Sequence, residues 1–227
     1  MTELQETLAD APTRARLISA VEEGEGDTFQ SSVNGVGWDR IVIESGGDGR
    51  WNGMSVEAVG DALGVAPVDA CLQLLVDDPD TACIGHAMHE DDVRAIIGDP
   101  TVMVASDGAS MSPDGPLGGA AVHPRNYGTF PRVLGHYVRE GTVTIESAIR
   151  KMTALPADRF GLRHRGRIVD GAFADLVVFD PLTIEDRATF VAPHEYPAGI
   201  DVVIVNGQIA WDGAPGERAG RVLRRGA

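Results

Sequence analysis

The run Thr101-Val102-Met103-Val104-Ala105 is almost continuously apolar and stops at Ser106-Asp107-Gly108. A half-exposed strand alternates apolar and polar side chains, so an uninterrupted run of this kind suits a strand covered on both faces, as in a parallel sheet packed between helices. Ahead of it, Thr81 to Gly85 predicts another strand. Glu90-Asp91-Asp92 opens a helix with Val93, Ile96 and Ile97 inward, its acids complementing the helix dipole. Strand, helix and strand in this order are the βαβ signature of an α/β fold. Barrels of this class gather their catalytic groups at the carboxyl ends of the strands, which is where Asp107 stands.

Composition narrows the class further. The chain has 227 residues, 24.0 kDa and 43% hydrophobic residues, enough to bury a core. A formal charge of -15 and a pI near 4.7 disfavour nucleic acid and anionic membrane as partners, because both rely on Lys and Arg to neutralise phosphates. Lys151 is the only lysine. No early segment joins a basic start to an apolar run of signal-peptide length, and no run approaches the ~18 apolar residues of a membrane span. A cytoplasmic protein with no membrane and no nucleic-acid partner is therefore expected. Cys71 and Cys83 lack a Cys-x-x-Cys spacing and are predicted to be two buried thiols.

Leu4, Leu8, Ala11 and Ala15 have helical spacing, which Pro12 interrupts, and Glu22 to Gly37 reads as a glycine-rich connector. Ile41-Val42-Ile43 predicts a short strand. Ser55 caps a helix that Gly64 stops, and Pro67 fits the first turn of the next. Thr129 is predicted to cap a helix with Pro131 early in it, and Thr144 another whose stripe is Ile145, Ala148, Ile149 and Met152. Beyond about Arg165 the period changes to short strands at Asp175–Phe179, 202–205 and 208–211. Asn206-Gly207 between the last two is a type I′ hairpin signal.

Asp107 alone admits two readings, a turn or cap residue and a general base. Arg125, in His123-Pro124-Arg125, offers a planar fork that can grip a carboxylate bidentately, or is a surface arginine. His86 and His89 with Glu90 invite a zinc reading, but the order matches neither His-Glu-x-x-His nor its inverse, and no third ligand follows at a useful spacing. Polar residues at a strand end are preferred there, with His86 able to face a substrate pocket. Gly115 to Gly119 lacks the Gly-Lys-Ser/Thr of a phosphate loop.

Taken in order, Ser106-Asp107-Gly108, the stretch from His123-Pro124-Arg125 through Gly128-Thr129-Phe130-Pro131-Arg132-Val133-Leu134-Gly135, Lys151-Met152-Thr153, Arg159-Phe160-Gly161-Leu162 and Ala174-Asp175-Leu176-Val177-Val178-Phe179-Asp180-Pro181 resemble the carboxyl-terminal half of N-acyl-D-amino-acid deacylases, the D-aminoacylases of the amidohydrolase superfamily. The resemblance is dense from about Glu90 onward. It implies the carboxyl-terminal part of a (β/α)8 barrel over 1–165 with a lid-like insertion at about 46–79, and strands of a small β-sandwich over 166–227. It also implies that Asp107 relays a proton from a metal-bound water to the leaving nitrogen, that Arg125 binds the substrate's α-carboxylate, and that zinc serves the complete enzyme.

The metal ligands that the family places upstream, beginning with a His-x-His, have no match: the chain contains no His-x-His and no histidine before His86. The resemblance thus implies an incomplete barrel, with no zinc bound by this chain alone, acting on an N-acyl amino acid only as part of a larger whole. A split enzyme completed by a separate amino-terminal half, and a non-catalytic carboxylate-binding remnant, are the alternatives.

Overall fold

Ser55 and Thr144 open helices as predicted: the Ser55 hydroxyl accepts the Ala58 N–H at 3.1 Å and the Thr144 hydroxyl the Ser147 N–H at 3.3 Å. The computed structural model describes residues 3–23, 32–116, 118 and 122–224. They divide into two units, one ending at His89 and the other beginning at Glu90. The predicted boundary at 165/166 falls inside the second.

In the first unit, α1 (Glu3–Ala9) and α2 (Ala11–Glu23) meet at Asp10, whose carboxylate accepts the Thr13 N–H at 3.0 Å. Pro12 lies in the first turn of α2, where its missing N–H costs nothing, rather than interrupting a longer helix. A short helix α3 (Ser32–Val36) follows; the rest of the predicted connector, 24–31, lies outside the described residues. Strand β1 (Ile41–Ser45) leads through turns to α4 (Val56–Leu63), which ends at Gly64 in the left-handed conformation, φ 69°. Helix α5 (Pro67–Asp77) has Pro67 in its first turn. A Cβ on Gly60 would come within 3.0 Å of the Val65 carbonyl, so that glycine lets the α4–α5 turn fold back closely. Ile43, Val56, Val59, Ala70 and Leu74 form the core. The segment 46–79 is thus a turn and a helical hairpin on this core. Cys83, on β2 (Ala82–Gly85), is exposed and Cys71 only partly buried, against the expectation of two buried thiols.

The second unit contains α6 (Glu90–Gly98), α7 (Arg125–Arg132), α8 (Ile145–Met152), α9 (Ala154–Phe160) and strands β3 (Leu176–Phe179), β4 (Ile200–Val205) and β5 (Gln208–Trp211). Val133, Leu134, Tyr137, Val143, Ala148 and Ile184 form its core. The sheet is antiparallel in the order β3-β4-β5, and Asn206 and Gly207 both have positive φ, 49° and 80°, as a type I′ turn requires. Asp175 accepts the Asn206 N–H at 2.8 Å, and Arg165 bridges the Asp175 carboxylate and the Asn206 side chain.

Three expectations fail. The run 101–105 joins no sheet; its Val104 side chain packs on the core, while the Val104 N–H donates to the Lys151 carbonyl at 3.2 Å. An apolar run can report burial without reporting a ladder. Nor does β2 enter a βαβ unit, since it pairs antiparallel with β1, Ile41 opposite Gly85 and Ile43 opposite Cys83. Among the described residues every sheet is antiparallel, and the 166–227 module carries one sheet. Finally, α7 begins at Arg125, not at Thr129. The Thr129 hydroxyl instead donates to the Arg125 carbonyl one turn back at 3.0 Å, and Pro131 stands inside the helix. A π-helical stretch, Val133–Tyr137, continues it, with the Val138 N–H reaching the Val133 carbonyl at 3.0 Å.

Among the described residues no single helix is long and apolar enough to cross a membrane; α4 and α5 together pass that test of length and composition but are bent by 92°.

Arg94 ties α6 to the end of the π stretch through Glu140 at 3.0 Å, and Tyr137 donates to Glu90 at 2.8 Å. Hydrogen bonds from Thr142 and Arg94 hold the Glu140 carboxyl below the ordinary glutamate range. A depressed carboxylate contributes stability above its unfolded value and loses it as pH falls through the folded one. Glu140→Gln is therefore expected to lower the melting temperature near neutral pH, with the gap from wild type closing in strong acid; an unchanged gap across that range would contradict it.

Candidate active site

Two loops and one helix end converge on Asp107. The residue has φ 48°, a left-handed conformation that Asp tolerates better than most residues. The Ser106 hydroxyl accepts the Gly108 N–H at 3.2 Å, closing the turn locally. Asp107 Oδ2 lies 3.3 Å from Arg125 Nη1 at the start of α7. The Asp107 side chain is 90% exposed and that of Arg125 44%, so water reaches the carboxylate freely.

Arg125 is set by its own neighbours. Its backbone N–H donates to His123 Nδ1 at 3.0 Å, which requires that ring nitrogen to be unprotonated. Partial burial, and then the Arg125 charge, push the His123 pKa below its ordinary value, in keeping with that acceptor role. The His123 ring meets Phe190 edge-on with centroids 4.9 Å apart. On the same helix the Tyr127 hydroxyl lies 3.0 Å from His194 Nδ1 and its ring packs against Tyr196 at 5.5 Å.

Two contributors were not singled out from sequence. Asn126 accepts the Ala109 N–H at 2.9 Å, joining the Asp107 turn to α7. Lys151 entered the sequence reading only as the sole lysine and as part of Lys151-Met152-Thr153, yet it is 1% exposed. Its ammonium donates to the Ile97 carbonyl and, at 2.6 Å, to the Asp99 carbonyl, at the carboxyl end of α6. Burial presses its pKa below the ordinary lysine value, opposed by the Asp99 charge. The visible signal was a lone lysine among apolar helix positions.

Among the described residues no cluster of three or more His, Cys, Asp or Glu could hold a metal. His86 and His89 are both exposed and belong to the first unit, and among the described residues they form no group of three metal-binding side chains. The described residues do not fit a metal centre. What Asp107 and Arg125 can do by themselves is accept a proton and bind an anion.

The amidohydrolase family model matches residues 50–210, more than half of the chain, and the chain belongs to that family. Within it, the chain is 50% identical over 143 residues to a D-aminoacylase of Alcaligenes xylosoxydans xylosoxydans, covering 62% of this chain and 28% of that one. An N-acyl-D-glutamate deacylase of the same organism matches with the same identity and coverage. Among solved structures, a D-aminoacylase with a binuclear metal centre superposes with a TM-score of 0.67 at 40% identity, covering 82% of this chain and 38% of that one. The N-acyl-D-glutamate deacylase of Bordetella bronchiseptica, complexed with zinc and a phosphonate inhibitor, gives 0.68 at 36% identity, with 94% and 46% covered. The chain thus spans 28% of the first relatives' length.

Lys151 anchors the turn from which the Asp107 segment departs. Lys151→Met would remove the ammonium donor from the Ile97 and Asp99 carbonyls, and is expected to cost about 1–3 kcal/mol in urea unfolding; a variant as stable as wild type would show that the ammonium holds nothing.

Proposed function

We propose that this chain serves as the carboxyl-terminal portion of a metal-dependent amidohydrolase that hydrolyses N-acyl-D-amino acids to a D-amino acid and a carboxylate. The observation that carries it is the 3.3 Å juxtaposition of Asp107 and Arg125, in a chain 50% identical over 143 residues to a D-aminoacylase. Amide hydrolysis needs a base for the attacking water and an acid for the leaving nitrogen, and one carboxylate can serve as both in turn. Asp107 takes a proton from water as the carbon–oxygen bond forms, then gives it to the nitrogen as the carbon–nitrogen bond breaks. Arg125 receives the α-carboxylate of the acylamino acid. That carboxylate and Asp107 compete for the same fork, so substrate binding frees Asp107 for its task.

Zinc supplies Lewis-acid chemistry in the complete enzyme of this proposal, with ligands from residues outside this chain, since those described do not fit it. Its partners are then the acylamino acid and the polypeptide that brings those ligands, and its place of action is the cytoplasm, consistent with the unpaired thiols of Cys71 and Cys83. The segment 46–79 acts as a lid in the same scheme. The partial coverage of relatives supports the incomplete-barrel reading.

A direct test replaces the matching stretch of the Alcaligenes D-aminoacylase by that of this chain. The hybrid is expected to hydrolyse N-acyl-D-amino acids. Asp107→Asn should lower its kcat on the order of 10²-fold or more, and Arg125→Ala should raise KM by about tenfold or more. A hybrid whose activity ignores Asp107→Asn would sink the proposal. Zinc added to the 227-residue chain alone is expected to leave its melting temperature unchanged and to elicit no turnover.

A further inference from the structure

Asp107 and Arg125 face each other across an exposed ion pair, and such pairs are too weak and too well screened to position their own members. Something else must hold the Ser106-Asp107-Gly108 turn against the start of α7. The nearest connection is Asn126, one residue beyond Arg125 and only partly exposed. Its Oδ1 accepts the Ala109 N–H at 2.9 Å, while its Nδ2 donates to Met111 Sδ at 3.5 Å. A backbone N–H can only donate, so the amide oxygen must face the turn, and both ends of the side chain are engaged. The Asn126 N–H donates to the His123 carbonyl at 3.1 Å, which fixes the side chain's own base.

Gly108 makes the approach possible. A Cβ there would lie 2.7 Å from Asn126 Oδ1 and 3.1 Å from Asn126 Cα, closer than any side chain could be placed without displacing one loop. The left-handed Asp107 is thus braced on its carboxyl side, by the Ser106 hydroxyl within the turn and by Asn126 from the helix. A sparsely populated backbone conformation persists only when its surroundings over-determine it.

We propose that Asn126 is a positioning residue that registers the Asp107 turn to the Arg125 helix, so that proton acceptor and carboxylate receptor are held at a set separation. This rests on the roles given to Asp107 and Arg125 above, and it gives a role to Asn126, the residue that follows Arg125 in the same stretch. The side chain acts through Ala109 and does not touch the reacting atoms.

The test is nuclear magnetic resonance on the 15N-labelled 227-residue chain. The Arg125 Nε–H signal, identified by its loss in Arg125→Lys, is expected to move on Asp107→Asn. The Ala109 amide is expected to exchange about tenfold more slowly than a free amide, or slower still. In Asn126→Leu, similar in size but without an acceptor, Ala109 should exchange at close to the free rate and Arg125 should no longer respond to Asp107→Asn. Asn126→Asp keeps an acceptor oxygen and should restore both. A response that survives in Asn126→Leu overturns the inference, and so does an unprotected Ala109 in the wild-type chain, which needs no variant to fold. An Arg125 signal indifferent to Asp107→Asn in wild type, with Ala109 protected, instead overturns the paired-site reading on which the inference stands.

Discussion

The Lys151 ammonium, 1% exposed, is the interaction on which the second unit's architecture turns. A buried charge is tolerated only where polar partners replace its water, and here the partners are main-chain carbonyls at the end of α6. The Ile97 carbonyl, in the last turn of α6, has no acceptor role within its own helix, so the lysine completes α6 while α8 carries the lysine. The same residue's carbonyl receives the Val104 N–H, and Arg150 reaches the Pro100 carbonyl at 3.3 Å. One turn of α8 therefore grips the chain on both sides of the Asp99–Pro100 break and sets the direction in which 101–107 departs.

From that anchor the site is built by short-range contacts. Asp107 leaves the segment in a left-handed turn, Gly108 allows Asn126 to come close, and His123 accepts the Arg125 N–H. Each is a local hydrogen bond between residues that the Gly- and Pro-rich loop would otherwise leave loose. The result is a carboxylate and a guanidinium facing water together, with no metal-binding cluster among the described residues. Membership of the amidohydrolase family, with relatives whose names and structures speak of deacylation and of metal, supplies the chemical context for that pair.

Much of this was legible in the residues themselves. Ser55, Thr144, Gly64 and Pro67 mark helix ends through hydrogen bonds or φ values that span only a few residues, and Asn206-Gly207 dictates a hairpin for the same reason. Thr129 misled because its hydroxyl can bond one turn back inside a helix as readily as it caps one. The run 101–105 misled because apolarity reports burial, and Val104 is packed against the core without any strand beside it. The partner of β2 lay forty-four residues upstream in the count from Gly85 to Ile41 rather than one helix ahead, a pairing that no local pattern encodes.

By itself, then, the sequence determined the local stereochemistry, the acidic composition, and the carboxylate and guanidinium to which the proposed function gives its roles. Those properties reside in single side chains or in a few successive dihedrals. Only the tertiary structure decided that Asp107 and Arg125 meet, that Asn126 ties their loops, that Lys151 is buried, and that β1 and β2 pair antiparallel. Each of these depends on segments distant along the chain being brought together, and the free energy of such contacts belongs to the folded arrangement rather than to any stretch of it.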